Sequence, residues 1–137
     1  MQGSRKITLG LAIVLALLSA FDFAVGVPAL RLNADTGAVH AAAAIWGVAA
    51  AFSGRRASNV FLVAAGLMFC ADAFMGATRG LYYLSFEAMR GAAEPLASPA
   101  RYWASLPSAA LGLVALVNGF VNAGRDAKAR PQGAPPV

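Results

Sequence analysis

Two aspartates and the single histidine are the residues of this chain that could do chemistry, because they stand inside apolar segments. Asp22 interrupts the first apolar segment, Asp72 interrupts the third, and His40 lies near the start of the second. A carboxylate that faces lipid costs about 2.5 to 3.5 kcal/mol on insertion scales. Each acid is therefore expected to face other helices, to pair, or to stay protonated, as in buried ion pairs and proton relays.

Counting residues along the helices places these side chains at one depth. Asp22 lies sixteen residues beyond Lys6, and Asp72 lies sixteen residues beyond Arg56, a rise of roughly 24 Å in each case. The predicted polar cluster near the outer interface consists of Asp22, His40, Asp72 and Arg79. Two interpretations stay open: polar groups that satisfy one another and water, or a pocket with a titratable carboxylate pair or acid–histidine pair.

The composition is that of a membrane protein. The chain has 137 residues, of which 59% are hydrophobic and 12% are charged, whereas a soluble domain is about 25% charged. Its basic residues stand at the ends of apolar segments and form no patch with aromatic residues, so we expect the lipid bilayer and no nucleic acid as partner. Cys70 is the only cysteine, which excludes an intrachain disulfide.

Four segments are long and apolar enough to cross the ~30 Å hydrocarbon core. We predict an all-α polytopic membrane protein with one domain, residues 1–123, folded as a four-transmembrane-helix bundle, and a disordered cytoplasmic tail, residues 124–137. The predicted spans are about 6–28, 36–54, 58–79 and 102–122. The stretch LYYLSFEAMR predicts a short interfacial helix before the fourth span, and a loop with aromatic anchors is the alternative.

Local signals predict where the first two helices meet. Pro28 is expected to end the first helix, and Asp35 or Thr36 is expected to cap the second. The first segment is either a retained helix or a signal peptide, since Ala24-Val25-Gly26 has the small-x-small form of a cleavage site.

Small residues recur along the predicted helices at the spacing of one helical face. Such faces let another helix approach closely inside a membrane. In the first two helices they are Ala12, Ala16, Ala20 and Ala24, then Ala43, Gly47 and Ala51.

The distribution of basic residues predicts the orientation. With the N-terminus in the cytoplasm, seven of the eleven lysines and arginines lie on the inner side. The positive-inside rule therefore places both termini in the cytoplasm. The predicted location is the cell (inner) membrane of a bacterium, with several passes.

The surroundings of the second helix resemble a known family. The features are a loop asparagine, a histidine that heads a helix with small residues at fixed spacing, and a basic turn. They are Asn33, His40-x-x-x-Ala44-x-x-Gly47 and Arg55-Arg56. This order is similar to a histidine-x-x-x-glycine-x-x-glycine signature in a family of small four-helix bacterial membrane proteins of unknown function. The resemblance spans most of the chain and implies a fold and a membrane location.

From these features we predict a non-enzymatic structural or interaction protein without a cofactor or a metal. Its expected associations are a homo-oligomer or a partner membrane protein. The alternative is a small oligomeric transporter or proton-coupled carrier that uses Asp22 and Asp72. With one histidine, a single chain has no pair of axial histidines for haem.

Overall fold

The computed structural model describes residues 3–86, 89–91 and 94–128. The described elements are α1 (Gly3–Ala24), a 3-10 turn (Pro28–Leu30), α2 (Ala34–Ser53), α3 (Arg55–Arg79) and α4 (Ala100–Lys128). All four α-helices are long and apolar enough to cross a membrane. For the described residues, the prediction of an all-helical fold with four helices that could cross a membrane is therefore confirmed.

The four helices pack as two hairpins. α1 packs mainly against α2, and α3 packs mainly against α4, whereas α2 and α3 touch less. Gly54 alone joins the hairpins, with φ of 125° and ψ of −175°, a conformation that favours glycine. We call residues 3–53 the first hairpin and residues 55–128 the second hairpin. The connections 25–33 and 80–99 lie at the loop end of the bundle, and Gly54 lies at the opposite, basic end.

The two hairpins differ in how closely their helices approach. A Cβ placed on Gly112 of α4 would lie 2.7 Å from the backbone nitrogen of Cys70 in α3. A Cβ placed on Gly47 of α2 would instead meet side chains, at 2.9 Å from the Cβ of Ala12. At Gly112 the backbones of α3 and α4 are in direct contact, which only a glycine allows. Around Gly47, side chains separate the helices.

The outside of the bundle is apolar, as expected for a protein surrounded by lipid. Several large hydrophobic side chains are more than half exposed, among them Leu17, Ile45, Phe74 and Phe120. The core beneath them includes Leu15, Phe61, Leu62 and Phe69, which have no exposed surface. Apolar patches of this extent are unusual on soluble monomers.

The first helix ends earlier than Pro28, which was predicted to end it. α1 ends at Ala24, and Gly26 follows with a left-handed φ of 61°. The N–H of Gly26 donates to the carbonyl of Phe21 at 3.0 Å, a hydrogen bond that closes the helix end. Pro28 instead begins the 3-10 turn, where its fixed φ is compatible with the backbone.

The cap of α2 is also a correction. Asn33 is the cap, and its side-chain oxygen accepts a hydrogen bond from the backbone N–H of Thr36 at 3.0 Å. Neither Asp35 nor Thr36 holds that position, because α2 already begins at Ala34. The Thr36 hydroxyl donates to the carbonyl of Arg31 at 2.8 Å and so ties the preceding loop to the helix.

The segment before α4 has no helix in its described part. Residues 81–86 and 89–91 form turns and irregular backbone, and residues 87–88 lie outside the described ranges. The predicted interfacial helix is thus not seen in the part that the structure describes. α4 itself continues to Lys128, beyond residue 123, and the rest of the predicted tail, residues 129–137, also lies outside those ranges.

Candidate functional site

Asp22 and His40 form a buried pair at the loop end of the first hairpin. The Nδ1 atom of His40 lies 2.7 Å from the Oδ2 atom of Asp22, and their side chains are 2% and 0% exposed. The Oδ1 atom of Asp22 is buried and has no hydrogen-bond partner among the residues that the structure describes. The pair shares one hydrogen bond, so one carboxylate oxygen is left to accept another hydrogen bond or a proton.

Gly37 allows α2 to approach Asp22. A Cβ on Gly37 would lie 3.0 Å from the Cβ of Asp22, so a larger residue would push α2 away from α1. The hydroxyl of Ser19 donates to the carbonyl of Gly37 at 2.8 Å and reinforces this contact. From the second hairpin, the ring of Phe69 covers His40 with a centroid distance of 5.7 Å.

Asp72 is held by three hydrogen bonds. Its Oδ1 atom accepts from the backbone N–H groups of Tyr83 at 2.8 Å and Leu84 at 3.0 Å. Its Oδ2 atom accepts from the hydroxyl of Ser108 in α4 at 2.9 Å. The residue is 5% exposed. Asp72 therefore fastens the start of the 80–99 connection and α4 to α3.

Arg79, the fourth residue of the predicted cluster, also lies at the loop end but does not join the buried groups. It is exposed at the last residue of α3, and the described contacts of Asp72 do not include it. The reason is the turn that follows: Gly80 ends α3 with a left-handed φ of 72°, and the chain folds back so that backbone N–H groups reach the carboxylate. The structure thus brings Asp22, His40 and Asp72 to one end of the bundle and leaves Arg79 on the surface.

A small cavity lies between the two hairpins at this end. His40 and Asp72 line it together with residues that the sequence interpretation did not include, namely Arg31, Thr36, Tyr82, Ser85 and Ser108. Its free volume is about 10 Å³, room for about one water molecule. The cavity is therefore lined by charged and hydroxyl groups but is too small for a metabolite.

Tyr82 closes the cavity from the 80–99 connection. Its hydroxyl donates to the carbonyl of Arg101 and lies 3.0 Å from the hydroxyl of Ser105. Burial raises the pKa of Tyr82 above its ordinary value, and the hydrogen bond with Ser105 offsets part of that rise. The ring occupies the space beside Gly76, where any Cβ would overlap it. Gly76, one turn beyond Asp72, was the sequence signal for a close approach at this position.

Polar contacts also join the 80–99 connection to the loop end of the first hairpin. The guanidinium of Arg90 donates to both carboxylate oxygens of Asp35, at 3.0 and 3.2 Å. Arg31 donates to the backbone carbonyl of Glu94 at 3.2 Å. These exposed contacts bring both connections over the buried layer formed by Asp22, His40 and Asp72, which we call the polar layer.

The fold and the polar layer define a multi-pass α-helical membrane protein. Within residues 3–86, 89–91 and 94–128, no three His, Cys, Asp or Glu side chains come together as a metal site. No protein-family model, curated protein or solved structure matches the chain.

Proposed function

We propose that this protein is a non-enzymatic membrane protein that acts by association inside the bilayer, with another copy of itself or with a partner membrane protein. The observation that carries the proposal is the alanine face of α1. Ala12 is 1% exposed and packs inside the bundle, whereas Ala16, Ala20 and Ala24 remain exposed. Small residues let helix backbones approach closely in lipid, so this face suits a helix from outside the chain.

The polar layer supports this proposal by keeping the bundle in one arrangement. Asp72 uses both of its oxygens to hold a connection and a neighbouring helix. The Asp22–His40 pair holds α1 against α2 at the same end. An association surface on α1 gains from such rigidity, because less conformational freedom is lost on binding.

Association is tested by placing bulk on the exposed alanine face. Two differently tagged copies are produced together and purified after gentle detergent extraction. We expect Ala20→Leu to lower the recovery of one tag with the other severalfold, because the backbones are forced apart. Ala110→Leu, an equal change at an exposed alanine of α4, is the matched control and should leave recovery unchanged. Equal recovery from Ala20→Leu and wild type would contradict self-association through this face.

We propose further that both termini are cytoplasmic, that the membrane is the bacterial inner membrane, and that the 80–99 connection lies in the outer headgroup layer. Tyr102 and Trp103 support an interfacial position of the loop end, because they are 48% and 63% exposed there and such residues are enriched at membrane interfaces, and the distribution of lysine and arginine assigns the outer side. A cytoplasm-dependent reporter should be active when fused after Val137 and inactive when inserted near Glu94. The reverse pattern would contradict this orientation.

A proton-coupled carrier is the second candidate function, and one observation favours it. The Oδ1 atom of Asp22 is buried without a described partner, beside the imidazole of His40, and acids and histidines inside membranes are the groups from which proton relays are built. The geometry favours Asp22 with His40 over Asp22 with Asp72, because the oxygens of Asp72 already accept three hydrogen bonds.

Proton flux itself tests this candidate without knowledge of a substrate. Purified protein is placed in liposomes that contain a pH-sensitive dye, and a pH gradient is imposed. A carrier should pass protons faster than empty liposomes, Asp22→Asn should abolish the flux, and Asp72→Asn should retain part of it. Wild-type flux equal to that of empty liposomes would contradict an uncoupled proton pathway through Asp22 and His40.

A further inference from the structure

A groove opens between α2 and α3 at the basic end, where the two hairpins diverge from Gly54. Its volume is about 480 Å³, in the size range of small-molecule sites. It is lined by Trp46, Ala49, Ala50, Ser53, Arg56, Ala57 and Val60. None of these residues belongs to the polar layer, which lies at the other end of the bundle.

Side-chain sizes create the groove. Ala49 of α2 and Ala57 of α3 face it with small side chains, so the two helices leave space between them. Deeper in the bundle, the indole of Trp46 packs edge-on against the ring of Phe61 with centroids 5.1 Å apart. Trp46 is 44% exposed and Val60 is 56% exposed, so the groove is open along its length.

The end of the groove nearest Gly54 is positively charged. Arg56 is exposed on the groove, and Ser53 also lines it, with a hydroxyl that donates to the carbonyl of Ala49 at 2.8 Å. The guanidinium of Arg5 lies close by, where it donates to the carbonyl of Ala51 at 2.6 Å. At this end the amino end of α3, which has no side-chain cap, has a positive partial charge, and the negative carboxyl end of α2 is capped by Arg5 through the carbonyls of Ala51 and Phe52, which leaves Arg56 as the exposed cation on the groove.

We propose that this groove binds one anionic phospholipid. The phosphate would contact the guanidinium of Arg56 at the end of the groove nearest Gly54, and an acyl chain would run past Ala49 toward Trp46. Trp46 lies seven residues from Ser53 along α2, a rise of about 10 Å into the membrane. The charged end of the groove therefore lies at the depth of the lipid headgroup, and its apolar end lies at the depth of the first part of the acyl chain.

Charge selects this occupant over a helix from a second copy. An apolar helix seated in the groove would cover Arg56 and give its guanidinium no anionic partner, which is costly in a membrane. A lipid phosphate neutralises the arginine and leaves it at the interface. The inference is independent of the association proposed for α1, because it concerns other helices.

Tryptophan quenching by brominated lipids tests the site. In a Trp103→Phe background Trp46 is the only tryptophan of the chain. The full chain is placed in phosphatidylcholine vesicles that contain either brominated phosphatidylglycerol or brominated phosphatidylcholine. We expect the anionic lipid to bind beside Trp46 about fivefold more strongly than the zwitterionic lipid, as one arginine near the surface provides.

The variant and its control decide the assignment. Arg56→Gln should reduce the fivefold preference to about one, whereas Arg125→Gln, which changes an exposed arginine of α4 outside the groove, should leave it intact. Equal quenching by the two lipids, or a preference that survives Arg56→Gln, would overturn the proposal. Trp46 that neither brominated lipid quenches would show that a second copy covers the groove, which would also overturn it.

Discussion

Each of the two hairpins has a buried aspartate in the loop-end half of its first helix, and the two aspartates have different partners. In each hairpin the acid lies near the loop end of the first helix and meets a polar side chain of the second helix, His40 for Asp22 and Ser108 for Asp72. Asp72 accepts two further hydrogen bonds from the following connection, whereas one oxygen of Asp22 has no described partner. Asp72 therefore anchors the connection that follows it, whereas Asp22 holds only the neighbouring helix.

The connections explain this difference. The backbone groups of the 25–33 connection find hydrogen-bond partners within the connection, because Val27 and Leu32 exchange backbone hydrogen bonds and Asn33 caps α2. The 80–99 connection turns the N–H groups of Tyr83 and Leu84 inward, where Asp72 is their acceptor. The role of each buried aspartate in this protein therefore depends on whether the connection that follows has backbone N–H groups that require its carboxylate as an acceptor.

Removing the anchor should have the largest effect on stability. Asp72→Ala leaves the N–H groups of Tyr83 and Leu84 without their acceptor, and we expect it to lower the free energy of unfolding by about 3 kcal/mol. Asp72→Asn retains an oxygen for those groups and should cost less. Denaturant unfolding in mild detergent measures both. Equal losses for the two variants would show that the hydrogen bonds to the connection do not stabilise the fold.

Glycine substitutions in the two hairpins should have smaller effects on stability, and the effects should differ between the hairpins. Gly112→Ala puts a methyl group against the backbone of Cys70, and we expect a loss of about 2 kcal/mol because backbone cannot move aside cheaply. Gly47→Ala meets side chains, including Ala12, and should cost about 1 kcal/mol. The melting temperatures of the two variants in one detergent give the comparison, and a larger loss for Gly47→Ala would reverse the assignment of the tighter hairpin.

The ion pair between the 80–99 connection and the first turn of α2 should have the smallest effect. Arg90 and Asp35 form an ion pair with side chains 63% and 30% exposed, so solvent screens it. We expect Arg90→Gln to change the free energy of unfolding by about 0.5 kcal/mol or less, with the difference vanishing in high salt. A loss as large as that of Gly112→Ala would mean that this pair, rather than helix packing, holds the hairpins together.

Much of the fold could be predicted from the sequence because membrane spans depend on length and apolarity, which are local properties. Asp22 and Asp72 could be placed at one depth by counting from the basic residues, and the structure has both at the loop end. The alanine face of α1 could be recognised from its spacing, but the spacing did not show which of its alanines are buried and which are exposed. Ala12 turned inward and Ala20 outward because α1 packs mainly on one neighbour, α2.

The partners of Asp72 could not be predicted, because they are backbone groups of an irregular connection. No residue type marks the N–H groups of Tyr83 and Leu84 as donors, and their direction depends on the turn at Gly80. An interpretation based on charge instead grouped Arg79 with Asp72 in the predicted polar cluster. The matching spacings Asp22-x-x-x-Gly26 and Asp72-x-x-x-Gly76 were a usable signal that both acids precede a glycine-dependent contact.

Hydrogen–deuterium exchange at the amides of Tyr83 and Leu84 tests most directly whether Asp72 is an anchor. In the wild type these N–H groups donate to the Asp72 carboxylate and should exchange slowly. We expect Asp72→Ala to speed their exchange by at least tenfold, while Asp22→Asn, the matched change in the first hairpin, leaves it unaltered. Unchanged exchange at both amides in a folded Asp72→Ala variant would contradict the role of Asp72 as the anchor of the 80–99 connection.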